Sequence, residues 1–419
     1  MNIDRELVSP SPEVRANPYA FYAQLRKMGP VLPHSRPLFG QGYLLTRYED
    51  VLNALKDPRL VNERGNAVEG AKNSLDRWWM PRILRLFQNN MALQDEPDHR
   101  RLRNLVHKVF TPRMIEDLTG RMEQLVDEML DQAAKKPVVD LIEELALPLP
   151  LTVISEMLGV PEKDRMFFKR VMGRVLVELG GGSLFRVVAS YPAAIRMERF
   201  FRELIQLRRE QPGNDLTSAL VQAEEAGDQL SEDELISMIF LLLFAGHETT
   251  VNLIGNGTLA LLEHPDQLQK LRENPELIDS AIEELLRYAN PVGQVAPRYA
   301  REDMEIQGHK ISKGSMVSLL IASANRDEAA FPNADKLDIA RSPNRHVAFG
   351  FGIHYCLGAP LARLEGRIAL SKLVQRFPEM RLALPWDKLN WRNNLGLRGL
   401  KALPLHLAPA AGQVSPRAA

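Results

Sequence analysis

The stretch between Ser231 and Pro265 constrains the possible folds of this chain more than any other segment. Ser231 and Glu234 form the S-x-x-E pattern of a helix capping box, and an apolar-rich sequence follows as far as His264. A helix of this length is a rod of roughly 45 Å, long enough to cross a whole domain. The sequence therefore predicts a chain built around one very long helix.

The other periodic segments also favour helices. They begin, in chain order, at Pro97, at Thr111-Pro112, at Asn274-Pro275 and at Pro360. Strand patterns are few and short, at residues 43–46, 304–306, 309–311, 315–320 and 403–407. We predict a mostly α fold with a small β portion, in a single domain over residues 1–407. Residues 408–419 are predicted to form a disordered tail.

Composition excludes several classes of protein. The chain has 419 residues, with 53 basic and 53 acidic side chains, so its net charge gives no reason to expect a nucleic-acid partner. Asp4, Arg5 and Glu6 stand where a signal peptide needs an apolar core. The longest apolar run, residues 238–246, is far shorter than the ~20 residues that span a bilayer. We expect a cytoplasmic protein without a membrane anchor.

The single cysteine lies in an unusual loop. One cysteine rules out an intrachain disulfide, a four-cysteine zinc site and a cysteine-ligated iron–sulfur cluster. Cys356 is therefore either a small buried apolar residue or a thiolate with a task. Residues 349–358 read FGFGIHYCLG, and the helix expected to start near Pro360 would favour a thiolate through its dipole and free N–H groups.

This loop resembles the haem-binding loop of the cytochromes P450, F-G-x-G-x-H-x-C-x-G, and the rest of the chain extends the resemblance. The resemblance implies the P450 fold, with haem b (iron protoporphyrin IX) between the long central helix and the cysteine loop with the last long helix. It makes Cys356 the axial ligand of the haem iron. Glu284 and Arg287 match the family's E-x-x-R, and Arg341 matches the arginine that joins that pair in a structural role.

Two further motifs match the same family. Ala245-Gly246-His247-Glu248-Thr249 is similar to its A-G-x-[DE]-T, which implies that Thr249 donates a hydrogen bond toward bound oxygen and that Glu248 feeds protons to it. Cations are needed to bury the two haem propionates. By resemblance these are His99 and Arg103, four residues apart on one helix face, with Arg298 and His354.

The resemblance also implies a reaction and its partners. A monooxygenase of this family inserts one oxygen atom from O2 into its substrate, with electrons from a separate donor. We expect a ferredoxin and its reductase, because the chain has no further module for a flavin or an iron–sulfur cluster. The candidate docking cations are Arg100, Arg101, Lys108, Arg113 and Arg363. The protein is expected to be a monomer.

The predicted substrate pocket is apolar. Its candidate residues are Trp79, Phe87, Val177, Leu242, Ala245, Val292, Val295 and Leu395. They favour a bulky lipophilic molecule such as a polyketide, terpenoid, steroid or fatty acid. The alternatives are a peroxide-driven peroxygenase, in which the acid–alcohol pair is generally replaced, a haem-binding sensor without turnover, and a helical scaffold without haem.

Overall fold

The computed structural model describes residues 3–36, 40–71, 90–165, 184–225 and 230–407. The predicted tail, residues 408–419, lies outside them. The α-helices of the described residues are Ile3–Val8, Pro12–Ala16, Pro18–Met28, Tyr48–Lys56, Arg64–Ala67, Asp98–Val109, Pro112–Asp117, Thr119–Ala133, Pro148–Met157, Leu184–Glu210, Leu216–Glu225, Glu232–Glu263, Pro265–Glu273, Ile278–Tyr288, Ile321–Ala324 and Ala359–Arg376. We refer below to Glu232–Glu263 as the central helix and to Ala359–Arg376 as the last long helix.

The strands of the described residues form three small sheets. They are β1 Val31–Arg36, β2 Gly40–Leu45, β3 Leu60–Val61, β4 Val139–Asp140, β5 Arg298–Ala300, β6 Met304–Ile306, β7 His309–Ile311, β8 Met316–Leu319, β9 Arg381–Leu382 and β10 Pro404–His406. One sheet has the order β1-β2-β8-β5-β3, another β4-β10-β9, and β6 with β7 makes a hairpin. The predicted hairpin is confirmed in its register, since Met304 faces Ile311. The expected mostly α fold with a small β portion is confirmed.

The central helix has the start and the length that the sequence predicted. The Ser231 hydroxyl accepts from the Glu234 backbone and the Glu234 carboxylate accepts from the Ser231 backbone, so the capping box is complete. Its 32 residues span about 48 Å. Among the described residues it is the helix long and apolar enough to cross a membrane, but 72% of that window is buried in the protein. Its apolar surface is therefore covered by the rest of the fold.

Three helix boundaries differ from the prediction. Pro97 is the N-cap and not the first helical residue of Asp98–Val109. The helix expected after Thr111 is two helices, and Leu118 is the C-cap of Pro112–Asp117 and the N-cap of Thr119–Ala133. The helix expected at Asn274-Pro275 begins at Ile278, after a 3-10 turn. The Thr111 hydroxyl accepts from the Met114 N–H at 3.2 Å, as expected of a cap.

The main apolar core lies among the helices and includes buried residues from the central helix, the last long helix and Pro148–Met157. Smaller buried clusters cover the five-stranded sheet. The loop of residues 349–358 leads directly into the last long helix, and that helix packs on the central helix. The polar motif of the central helix and the cysteine loop thus belong to two neighbouring elements.

Candidate functional site

The cysteine loop is held in a shape that requires glycine. Gly350 and Gly352 have φ of 70° and 72°, in the left-handed region that side chains disfavour. A Cβ on Gly352 would also lie 2.9 Å from the Leu55 carbonyl oxygen, so the loop packs closely against the helix Tyr48–Lys56. The Cys356 N–H donates to the Phe349 carbonyl at 2.9 Å and closes the loop. The glycines therefore fix the position of the sulfur.

The protein alone does not favour the thiolate, contrary to the prediction. The Cys356 side chain is accessible, yet protein surrounds it on most sides, and this burial raises the pKa of its thiol. The backbone N–H groups of Gly358 and Ala359 and the charges of Arg103 and Arg363 lower that pKa, but burial prevails. Deprotonation then depends on a metal that binds sulfur, because coordination removes the thiol proton.

Four basic side chains gather beside this loop, as the sequence predicted. His99 and His354 have ring centroids 4.3 Å apart, and Arg103 donates to the Tyr355 carbonyl at 2.8 Å. Arg298, on β5, is buried and its Nε has no hydrogen-bond partner. Asn62, which sequence reasoning missed, lies 2.9 Å from His354 Nε2 and holds that ring. The structure therefore brings all four predicted basic residues together.

The electrostatics of this cluster show that nearby carboxylates offset the burial of its basic groups only in part. Burial lowers the pKa of Arg298 to about 10 and that of His354 to about 3, and in both cases neighbouring groups do not compensate for it. The pKa values of His99 and Arg103 are also lowered, chiefly by burial. Buried cations without anions are costly. A planar dicarboxylate bearing a sulfur-binding metal fits both halves of the site, the unpaired cations and the single cysteine.

An ion-pair network lies in the core behind the loop. The Glu284 carboxylate accepts from Arg287 Nε and Nη2, both at 2.8 Å, and from Arg341 Nε at 3.1 Å. Glu284 and Arg287 are completely buried. Arg287 also donates to the carbonyls of Asn325, Ala334 and Lys336, which ties the loop before residue 341 to the helix Ile278–Tyr288. Asn344, missed in the sequence, donates to the same carboxylate at 3.1 Å.

The polar side chains of the central-helix motif contact other groups of the protein. The Thr249 hydroxyl donates to the Ala245 carbonyl at 3.0 Å, one turn earlier on the same helix. The Glu248 carboxylate is buried and forms an ion pair with Arg392, near the end of the chain. Buried His247 has its Nδ1 2.8 Å from the Leu243 carbonyl oxygen and its Nε2 3.9 Å from Glu248. No local pattern indicates the partner Arg392, which is 144 residues from Glu248.

Besides Glu248, a second carboxyl group is buried near the central helix. It belongs to Glu365, on the last long helix, and sequence reasoning missed it. Neither of its oxygens has a hydrogen-bond partner of good geometry. Burial raises its pKa to about 8, and the nearby Thr250 hydroxyl opposes that shift only in part. Thr250 follows the motif threonine, so this acid lies beneath the same turn of the central helix. At neutral pH Glu365 is therefore mostly protonated.

The predicted pocket residues divide into two groups. Trp79, Phe87 and Val177 lie outside the described residues. Of the others, Val292 pairs with Leu397 in an isolated bridge, and the Gly293 N–H donates to Gly396 at 2.9 Å. Leu395 is buried beside them, so close that a Cβ on Gly293 would lie 1.9 Å from its carbonyl oxygen.

Three further pocket candidates are placed differently. Val295 packs at the edge of the cluster on the five-stranded sheet. Ala245 and Thr249 lie one turn apart on the less buried side of the central helix, whereas Leu242 belongs to the main core. The structure therefore joins the segments after Arg287 and near the C-terminus, and it places Ala245 beside the polar motif.

The fold and this site together define a haem–thiolate enzyme, with one cysteine beside four basic residues and an acid–alcohol pair on the neighbouring central helix. Residues 39–382 match the family profile described as Cytochrome P450. The chain belongs to the cytochrome P450 family, and it is a monooxygenase whose cofactor is haem b. The prediction of family, fold, enzyme class and cofactor is confirmed.

The similarity to relatives and to solved structures extends over almost the whole chain. The polyketide biosynthesis cytochrome P450 PksS of Bacillus subtilis is 44% identical over 399 residues, 94% of this chain and 97% of the relative. Cytochrome P450 107B1 of Saccharopolyspora erythraea is 47% identical and matches 87% of this chain and 88% of its own length. The structure of myxobacterial CYP267B1 in complex with myristic acid has a TM-score of 0.88 and 39% identity, covering 96% of this chain and 99% of that one.

Proposed function

We propose that this monooxygenase oxidises a bulky lipophilic molecule of polyketide or long acyl type. The observation that carries the proposal is the apolar pairing of Val292 with Leu397, next to buried Leu395. The resemblance implies that these two segments line the substrate pocket, where Val292, Leu395 and Leu397 would present apolar side chains to a substrate. The names of relatives support this class, since PksS belongs to polyketide biosynthesis and CYP267B1 was solved with myristic acid.

In this proposal each site residue has one task. When bound, haem supplies the redox-active iron for oxygen activation. Cys356 would hold that iron through its sulfur. Arg103 and Arg298 would neutralise the two propionates, and His99 and His354 would offer them ring nitrogens that have no partner within the protein. Glu248 is the proton source, and Thr249 Oγ1 exchanges its bond to the Ala245 carbonyl for one toward the reacting oxygen. Glu284, Arg287 and Arg341 keep the fold behind the cysteine loop rigid.

The test is a titration of the holoenzyme with matched ligands. Macrolactones, long-chain fatty acids and steroids are compared with short polar compounds by the change in iron spin state that they cause. We expect saturable spin shifts from the first three groups and none from the polar set. Replacing Val292 by aspartate should weaken those shifts, and replacing exposed Val138 should not. Spin shifts from the polar set alone would contradict the proposal.

We also propose a ferredoxin with its reductase as the electron donor, acting on a cytoplasmic, monomeric enzyme. The docking cations predicted around the cysteine side are partly neutralised: Arg100 pairs with Glu96, Arg101 with Glu234 and Arg363 with Glu283. The attraction of an acidic partner should therefore be present but modest. Lys108 and Arg113 complete the predicted set of docking cations.

The docking proposal predicts a measurable salt dependence. The rate of first-electron transfer from an acidic ferredoxin should fall about threefold as ionic strength rises from about 0.05 M to 0.5 M, because salt screens exposed charges. The variant Arg113→Glu should lower the rate at low salt and flatten its dependence on salt. Stopped-flow reduction measures both. A rate independent of salt in the unaltered protein would contradict the proposal.

Buried Glu365 predicts a pH dependence of stability. Its pKa is about 8 in the folded chain against an ordinary 4.5, so between these values the folded chain binds an extra proton. Stability contributed by this group is complete below pH 4.5 and is lost as pH rises toward 8, by up to about 5 kcal/mol. Glu365→Gln should remove much of the loss in urea unfolding between pH 5 and 8, whereas exposed Glu276→Gln should keep it. An equal loss in Glu365→Gln would show that another group is responsible.

A further inference from the structure

A cavity of about 520 Å³ lies beside the C-terminal part of the central helix, beyond the polar motif. Its walls come from the helix Pro18–Met28, from the C-terminal third of the central helix and from the segment that carries Trp391 and Arg398. Ala260 on its wall is 11 residues beyond Thr249, which places it about 16 Å farther along the helix axis. The cavity is therefore separate from the site of oxygenation, and its volume suits a small organic molecule.

One wall is a stack of alternating guanidinium and aromatic groups. The Arg398 guanidinium lies 3.6 Å from the Trp391 ring centroid and 5.4 Å from that of Tyr19. The Arg326 guanidinium lies 4.0 Å from the Tyr19 ring centroid and 3.5 Å from that of Tyr288. Such stacking fixes the planes of both guanidinium groups before any ligand arrives.

The two arginines differ in whether any guanidinium N–H group lacks a hydrogen-bond partner. Arg326 is fully engaged, with bonds to the Tyr288 carbonyl and an ion pair to Asp335. Arg398 donates through Nη2 to the Ala16 carbonyl at 3.0 Å, and its buried Nε has no partner. The hydroxyl of Tyr19, beside it in the stack, is also buried without a partner. Two neighbouring donors thus lack an acceptor, which is uncommon for buried polar groups.

The other residues that line the cavity indicate the polarity and charge of a ligand that would fit. Asn256 donates its side-chain amide N–H to the Arg398 carbonyl at 2.8 Å. Its buried Oδ1 has no hydrogen-bond donor. Small and apolar side chains form the floor, namely Ala20, Ala23, Leu259, Ala260 and Ala289. The carboxylates of Glu263 and Asp335 also line the cavity and disfavour a ligand with two negative charges.

We propose that this cavity is a binding site for a small monocarboxylate with an apolar or aromatic body and a hydroxyl group. The ligand carboxylate accepts from Arg398 Nε and the Tyr19 hydroxyl, its body covers the alanine floor, and its hydroxyl donates to Asn256 Oδ1. A charged donor beside a neutral donor matches the two oxygens of one carboxylate.

The test uses 4-hydroxyphenylacetate as the probe and isothermal titration calorimetry as the measurement. The holoenzyme is first saturated with clotrimazole, which blocks the haem side. We expect saturable one-to-one binding in the millimolar range, as suits so small a ligand. The uncharged analogue 4-hydroxyphenylacetamide should bind at least tenfold more weakly.

Two variants decide whether the probe occupies the proposed site. Tyr19→Phe removes only an unpaired hydroxyl and should weaken binding about fivefold with little effect on folding. Arg398→Gln should weaken it at least tenfold, and Arg376→Gln, which breaks a surface pair with Asp131, should leave it unchanged. Absence of saturable binding up to about 10 mM overturns the proposal. Unchanged affinity in Tyr19→Phe and Arg398→Gln overturns it equally.

Discussion

Glu284→Gln will destabilise the protein by about 3–5 kcal/mol, because the change leaves the buried guanidinium of Arg287 without its counter-ion. The mostly buried side chain of Arg341 loses the same partner. The carbonyl groups that Arg287 binds compensate for only part of that charge. The free energy of unfolding in urea measures the effect, and a loss of haem on gel filtration should accompany it.

Exposed Glu276, just before the helix Ile278–Tyr288 that carries Glu284, supplies the matched control. Glu276→Gln removes a carboxylate of the same size outside the core and should change stability by no more than about 0.5 kcal/mol. If Glu284→Gln were equally mild, the network would not hold the fold behind the cysteine loop, and the structural role proposed for it would be wrong.

Glu248→Gln will lower the rate of reductant-driven substrate oxygenation about 100-fold, a typical loss for a general acid. The amide keeps the size of the side chain but cannot accept and pass on protons as a carboxylate can. Substrate binding, measured by the spin shift, should change little because Glu248 is buried and directed toward Arg392. The loss should therefore fall on kcat rather than on KM.

The control for this variant lies on the same helix. Glu232 pairs with Arg202 at the surface near the helix start, so Glu232→Gln should leave the rate unaltered. A thermal unfolding measurement on each variant separates lost activity from lost structure. A Glu248→Gln enzyme that remained folded and turned over at the normal rate would exclude Glu248 as the proton source.

Local sequence predicted the elements whose signals are short-range. The capping box of Ser231, the spacing of Glu284 and Arg287, and the shared face of His99 and Arg103 each depend on contacts within one turn of a helix. The cysteine loop was predictable because only glycine adopts its backbone angles. The resemblance to the cytochromes P450 added the order of the motifs and hence the fold.

Features that depend on packing could not be predicted in this way. The ion pair of Glu248 with Arg392 joins residues 144 apart, and no local pattern selects that arginine among the many in the chain. Glu365 sits between arginines on the last long helix and reads as a surface residue until its neighbours are known. The two-residue strands β4 and β9 exist only through their pairing with β10. The pKa of Cys356 rises for the same reason, since burial outweighs the helix.

The absorption spectrum of the reduced protein under carbon monoxide tests the central claim most directly. We predict a strongly red-shifted Soret band in the unaltered protein, because Cys356 is the single thiol of the chain and lies beside the basic cluster that includes buried His99 and Arg298. Cys356→Ser should lose that band. A shifted band that survives this substitution, or an unaltered protein that never shows one, would contradict the assignment of Cys356 as the ligand of the haem iron.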